Sequence, residues 1–232
     1  QFLENFHKNP NIHIVFKDEE KLKKFDAKLF KTSMVSGFLL DEKNFQNRIS
    51  FINGDWWVQD FSSFLPLHNF NKINKDKVLL DACAAPGGKS FQILSKKLNV
   101  ILNDKSKNRI QILKSNLKRL KLSAKILNED FIRFDNKRKY DVIIIDAPCS
   151  AVGTIRRNPE IFFKNKGPNF DKLISLQEKM LEKASFLLNT NGFIIYMTCS
   201  FLQIETIDQV KKFLNLNNNF MLSNFKLREN QK

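Results

Sequence analysis

Five short apolar runs constrain this chain more than anything else in it: "KVLLDA" (77–82), "LNVILND" (98–104), "AKILNED" (124–130), "YDVIIIDA" (140–147) and "GFIIYMTC" (192–199). They are continuous rather than alternating, the pattern of strands buried on both faces. Between them, Ile110, Leu113, Leu117 and Leu120 recur at helical spacing, as do Leu173, Leu176, Met180, Ala184 and Leu187. Strands alternating with amphipathic helices predict a doubly wound α/β fold, mostly parallel and Rossmann-like. Upstream, residues 1–55 read as a small α+β subdomain. It carries a charged stretch expected to be helical from Asp18 to Phe30, then "SGFLL" and "RISFI". Residues 56–232 form the main domain, with Pro66 leaving the boundary of an early helix after Asp60 open.

In open α/β sheets ligands bind beyond the carboxyl ends of the strands. There the runs place Asp81, Asp104, Asp130 and Asp146, with Cys83, Cys149 and Cys199 beside them. One such acid is explained by capping the next helix; the whole set points to a site. The turn "CAAPGGKS" is not a nucleoside triphosphate cradle, because Cys83 stands where the first glycine of that motif is needed. Nor does it carry the G-x-G-x-x-G spacing of dinucleotide sites. It remains a tight turn in which Pro86 fixes the chain. Gly87 and Gly88 let backbone amides approach a carboxylate at a helix N-terminus. Asp104 suits the hydroxyls of a ribose, and Asp130 an adenine amino group. A ligand with a carboxylate, a ribose and an adenine is S-adenosylmethionine.

Lys and Arg outnumber Asp and Glu by 39 to 24, and a net charge of +15 favours a polyanionic partner such as nucleic acid. Heavy use of Lys alongside Asn, Ile and Phe is also a composition bias, so charge only supports that reading. Lys105 to Asn128 is basic and free of acids, but it reads as an amphipathic helix with a solvated face. No apolar run approaches the ~20 residues of a membrane span. Three cysteines without a C-x-x-C pair argue against a zinc site or a disulfide framework and for a reducing, cytoplasmic setting. A monomer without metal is expected. The chain opens on Gln1, so its true N-terminus is expected to have been removed.

"DACAAPGGKS", "DAPCSAVGTIRRNPE" and "YMTCS" together resemble the RNA cytosine-5 methyltransferases of the Sun family, and "GTIRRNPEI" most resembles its RsmB-like bacterial branch, which acts on 16S ribosomal RNA. The resemblance covers about residues 53 to 215. It implies a class I methyltransferase fold. Cys83, Ala84, Ala85, Pro86, Gly87, Gly88 and Lys89, with Asp104, Asp130 and Asp146, would hold the cofactor. Cys199 would be the nucleophile and Cys149 its partner in product release. The implied substrate is small-subunit ribosomal RNA. The alternatives are a transfer RNA, or a non-catalytic assembly factor that keeps both binding sites. This chain departs from the family where Glu205 is followed by Thr206 rather than Asn. It lacks room for an additional N-terminal RNA-binding domain, and it is expected to stop short of the terminal strand.

The chemistry explains why such a site wants two thiols. Cytosine C5 becomes nucleophilic only after a nucleophile has added at C6, and a thiolate does this well. The C5 proton must then leave to a base. Residue types alone leave open which cysteine attacks, since Pro148-Cys149 also mimics the Pro-Cys nucleophile of DNA cytosine-5 methyltransferases; the resemblance assigns attack to Cys199. Asp146, three residues before Cys149, can hydrogen-bond the polar edge of the base. Arg156 and Arg157 are candidates for RNA phosphate contacts. Trp56 and Trp57 are read as packing residues before base-stacking ones.

Overall fold

A computed structural model describes residues 10–25, 28–32, 34–40, 45–135, 138–163 and 167–223. Strands β1 (His13–Phe16), β2 (Leu29–Lys31), β3 (Ser36–Leu39) and β4 (Trp56–Val58) form an antiparallel sheet in the order β2-β3-β1-β4. The helix expected over 18–30 is a single short piece, α1 (Glu19–Lys23), capped by Asp18, which accepts from the Lys21 amide at 2.9 Å. Leu29 and Phe30 instead pair with Leu39 and Phe38 of β3, so sheet formation overrides local helix propensity. β4 lies beyond residue 55, so this sheet takes in Trp56–Val58 from the segment assigned by sequence to the following domain.

Five further strands make the second sheet: β5 (Leu79–Asp81), β6 (Val100–Asn103), β7 (Lys125–Leu127), β8 (Tyr140–Asp146) and β9 (Leu188–Met197). Their order is β7-β6-β5-β8-β9, the doubly wound arrangement in which the first strand of the sheet lies in the middle. The pairs β6 with β7, β5 with β8, and β8 with β9 are all parallel. Each of the five sequence runs contains or overlaps one of these strands. The last begins earlier than expected, because Leu188 already pairs with Tyr140 ahead of a register irregularity.

The chain divides into two compact units. One comprises Asn11–Val78 and Ala84–Asn128. Here Ile14, Phe16, Leu39 and Trp56 form a buried cluster joined by Phe25, Phe45 and Phe51. Each large side chain so buried contributes about 2 kcal/mol. The Trp56 indole donates to Ser50 Oγ at 3.0 Å and that of Trp57 to Gln59 Oε1 at 2.9 Å, so both rings are core rather than stacking platforms. Helix α2 (Ile49–Ile52) precedes β4, and α3 (Phe61–Asn69) is capped by Asp60 and continues through Pro66. Helices α4 (Gly88–Ser95) and α5 (Lys107–Arg119) follow β5 and β6. In α5 the predicted stripe of Ile110, Leu113 and Leu117 is buried, and Arg119 reaches back to the carbonyls of Phe51 at 2.7 Å and Trp56 at 3.1 Å.

The other unit comprises Leu79–Cys83 and, among the described residues, 129–223. Val142 to Ile145 of β8 are wholly buried. Helix α6 (Phe170–Leu187), capped by Asn169, buries Met180, Leu181, Ala184 and Leu187. Helix α7 (Ile207–Leu216) closes the described chain. No described helix is long and apolar enough to cross a membrane.

Candidate active site

The turn after β5 is shaped by its small residues. Gly87 adopts φ +120°, and a Cβ there would lie 2.0 Å from the Phe91 ring and 2.8 Å from Leu113, so no other residue fits. Gly87 is also the N-cap of α4 and offers no side-chain cap, a helix end whose amides and dipole suit an anion. The Ala84 amide donates to the Asn103 carbonyl at 2.8 Å, fastening the turn to the end of β6.

Asp104 follows β6 and is buried, only 3% exposed. Its Oδ2 accepts from the Ala85 amide at 3.2 Å and its Oδ1 from the Ser106 amide at 2.9 Å. Arg109 on the first turn of α5 stands 3.4 Å from Oδ2 and also donates to the Ala85 carbonyl. Asn128 holds the Asp104 carbonyl at 2.8 Å. The structure thus brings together Ala85 and Asp104, and adds Arg109 and Asn128, which sequence reasoning missed. The available signal was Ser106, whose hydroxyl caps the helix at Arg109 and turns that residue back toward Asp104. Asp130 is exposed and accepts from the Ile132 amide at 3.1 Å, capping a short 3-10 turn. Cys83 and Lys89 are half-buried.

In the other unit, β8 and β9 run side by side with Asp146 paired to Met197, so the segments that follow them emerge together. Cys149 Sγ and Cys199 Sγ lie 3.1 Å apart, Cys199 exposed and Cys149 half-buried. A thiol donated by Cys199 stabilises a thiolate on Cys149, whose pKa falls to about 7 although burial opposes this; the amides of Ala151 and Cys199 add to the effect. Ala151 adopts a left-handed conformation, φ +60°, that few non-glycine residues take. The Cys199 thiol is pushed far up by the same hydrogen bond, by burial, and by the charges of Cys149 and Asp146. Such a pair titrates as a unit, with its first proton leaving near neutrality.

Glu205 organises what surrounds the sulfurs. It is fully buried and accepts from the Ser150 amide at 2.8 Å, the Ser150 hydroxyl at 2.5 Å and Gln177 Nε2 at 3.2 Å. Burial pushes its carboxyl up, but these bonds and one from Ser200 prevail and hold it below the ordinary glutamate value. Tyr196 donates to the Glu205 carbonyl at 2.9 Å. Sequence reasoning noted Glu205 only as half of an altered pair; the unused signal was the repeated Cys-Ser dipeptide at 149–150 and 199–200. Arg156 and Arg157 are exposed in the segment after Gly153, whose amide donates to the Cys199 carbonyl at 2.9 Å. The described residues contain no cluster of three or more His, Cys, Asp or Glu able to hold a metal.

A doubly wound parallel sheet in the order β7-β6-β5-β8-β9, preceded in chain order by an antiparallel N-terminal sheet, matches the architecture of Rossmann-like class I methyltransferases. The family described as 16S rRNA methyltransferase RsmB/F matches residues 69–232, and the chain belongs to it. Ribosomal RNA small subunit methyltransferase B of Shewanella oneidensis is 38% identical over 144 residues, covering 60% of this chain and 34% of the relative. The chain therefore spans about a third of that curated relative's length. The crystal structure of PH0851 superposes with a TM-score of 0.83 at 25% identity, over 93% of this chain and 53% of that one. NSun6 from Pyrococcus horikoshii, solved with the S-adenosylmethionine analogue SFG, gives a TM-score of 0.67 at 28% identity, over 74% of this chain and 45% of the other.

Proposed function

We propose that the protein to which this chain belongs is an S-adenosylmethionine-dependent RNA cytosine-5 methyltransferase acting on small-subunit ribosomal RNA. The observation that carries the reading is the 3.1 Å approach of Cys149 and Cys199 at the ends of adjacent parallel strands. Buried thiols by default are isolated packing residues; two thiols in contact next to solvent support a catalytic reading. Residues 83–89, with Asp104 and Asp130, would hold the cofactor, whose methionine carboxylate suits the uncapped end of α4. When bound, S-adenosylmethionine supplies the electrophilic methyl group.

The residues then divide the work. Exposed Cys199 meets the base first: its proton passes to the Cys149 thiolate, or to water where that thiolate is missing or displaced, as its sulfur bonds to C6. Asp146, at the end of β8, hydrogen-bonds the polar edge of the ring while charge is carried there. After C5 has taken the methyl group, Cys149, having released its proton to water, accepts the C5 proton; the S–C6 bond breaks and Cys199 leaves as a thiolate. One proton is released overall, and the pair ends with the same single proton it began with. No electrons are gained or lost, so both thiols must stay reduced, which fits a cytoplasmic enzyme. Arg156, Arg157 and the N-terminal antiparallel sheet would meet the RNA, which must present its target base unstacked. We assign a monomer to the active form.

The test incubates Cys149→Ala with unmethylated small-subunit ribosomal RNA and S-adenosylmethionine, beside wild type and Cys149→Ala/Cys199→Ala, on a denaturing gel. A covalent protein–RNA band in the single variant only, with methyl transfer by wild type, is expected. No band and no transfer from wild type would leave a binding protein; transfer to transfer RNA alone would move the substrate.

A further inference from the structure

Each cysteine is followed by a serine, and the two serines meet: Ser150 Oγ and Ser200 Oγ are 3.3 Å apart. Both lean on one buried carboxylate. Glu205 takes the Ser150 amide and hydroxyl on its two oxygens, and Gln177 braces it from α6 while also holding the Pro148 carbonyl at 2.9 Å. Glu205 is itself placed by Tyr196 of β9 and by the turn that starts at Leu202, whose amide donates to Ser200 Oγ at 3.1 Å. The residues flanking both sulfurs are thus tied into one network whose only described charge is that of Glu205. The reaction proposed above uses none of these groups directly. A buried carboxylate is costly without full hydrogen bonding, so its retention here calls for a role.

We infer that Glu205, acting through Ser150 and Ser200, is a positioning residue that fixes the distance between Cys149 and Cys199 and so sets the balance between adduct formation and adduct release. This rests on the methyltransferase reading. The two cysteines are not equally dependent on the clamp. Cys199 stands two residues beyond the end of β9, and its carbonyl accepts from the Gly153 amide at 2.9 Å. Cys149 stands farther from its strand, three residues beyond the end of β8, between Gln177 at Pro148 and Glu205 at Ser150. Loosening the clamp displaces Cys149 more than Cys199, so attack proceeds while the C5 proton is removed late.

The test uses the full-length protein with Ser150→Ala, and Glu205→Gln as an independent variant, each retaining both cysteines. Methyl transfer and the covalent protein–RNA band are measured together, with Cys149→Ala as the trapping reference and with cofactor affinity and thermal unfolding as controls of folding. Ser150→Ala is expected to lower turnover by about tenfold, the value of one hydrogen bond to a charged group, while the covalent band rises severalfold above wild type. A purely structural defect would lower both together, and that result in a folded Ser150→Ala protein overturns the inference, as does wild-type behaviour of both variants. If Cys149→Ala itself traps nothing and wild type transfers no methyl group, the methyltransferase reading has failed and takes the clamp with it.

Discussion

Cys149 Sγ lies 3.1 Å from Cys199 Sγ, within reach of a hydrogen bond in which one thiol proton is donated to the other sulfur. That proton decides the reactivity of both. Donated by Cys199, it draws the Cys149 titration down to about 7 and holds Cys199 protonated.

Removing the donor should therefore undo the shift. In wild type, alkylation of Cys149 by iodoacetamide should rise with a midpoint near pH 7. In Cys199→Ala the thiolate loses its partner, and the midpoint should climb toward the ordinary thiol range near pH ~8.5. Peptide mapping of labelled Cys149 across pH reads this directly, and an unmoved midpoint would show that the sulfurs do not share a proton in solution.

Gly153 carries the segment of Arg156 and Arg157 against the backbone of Cys199. A Cβ at Gly153 would stand 2.8 Å from the Cys199 carbonyl oxygen, so Gly153→Ala must push the turn at Val152–Thr154 away from Cys199. Turnover should fall by roughly tenfold to a hundredfold, as small misplacements of reacting groups do, with thermal stability lowered by only about 1–3 kcal/mol. Retention of full activity in initial-rate assays would deny the close approach.

Asp104 should matter to cofactor binding rather than to the covalent step. Asp104→Asn removes the charge that holds the Ala85 amide and Arg109, loosening the turn that would carry the methionine end. Calorimetric affinity for S-adenosylhomocysteine should weaken by about tenfold or more. An unchanged affinity would place the cofactor elsewhere.

Glu205 gives the fold an acid sensitivity. Its folded carboxyl titrates below the ordinary glutamate value, so its stabilisation is complete above pH ~4.3 and is lost as pH falls through the lower folded value. Glu205→Ala, which strands the Ser150 amide and Gln177 without their acceptor, should cost about 2–4 kcal/mol at neutral pH. Urea unfolding at pH 7, and then stepwise below pH ~4.3, measures both; a variant as stable as wild type at pH 7 would contradict the buried network.

The glycine turn after β5 and the positions of the thiols were legible because their signals are local. Gly87 and Gly88 stand together in sequence, and the acids that follow strands are found wherever apolar runs end. The Asp18–Phe30 helix was misread because Leu29 and Phe30 take their conformation from β3, a partner that helical spacing cannot announce. Arg109 and Glu205 escaped for a related reason: each is an ordinary charged residue until a distant backbone amide or hydroxyl is brought to it.

The sequence alone determined the doubly wound class, through continuous apolar runs alternating with helical stripes, and it determined which residue types stand at the strand ends. These follow from periodicity and covalent order, which are properties of the chain itself. Tertiary structure decided what those residues do to one another. Only the parallel pairing of β8 with β9 brings residues fifty positions apart to 3.1 Å. Only a fully buried Glu205 can tie both Cys-Ser dipeptides into one network. Proton sharing and hydrogen-bond networks depend on distances of a few tenths of an ångström and on exclusion of water, and neither is set until the strands have packed.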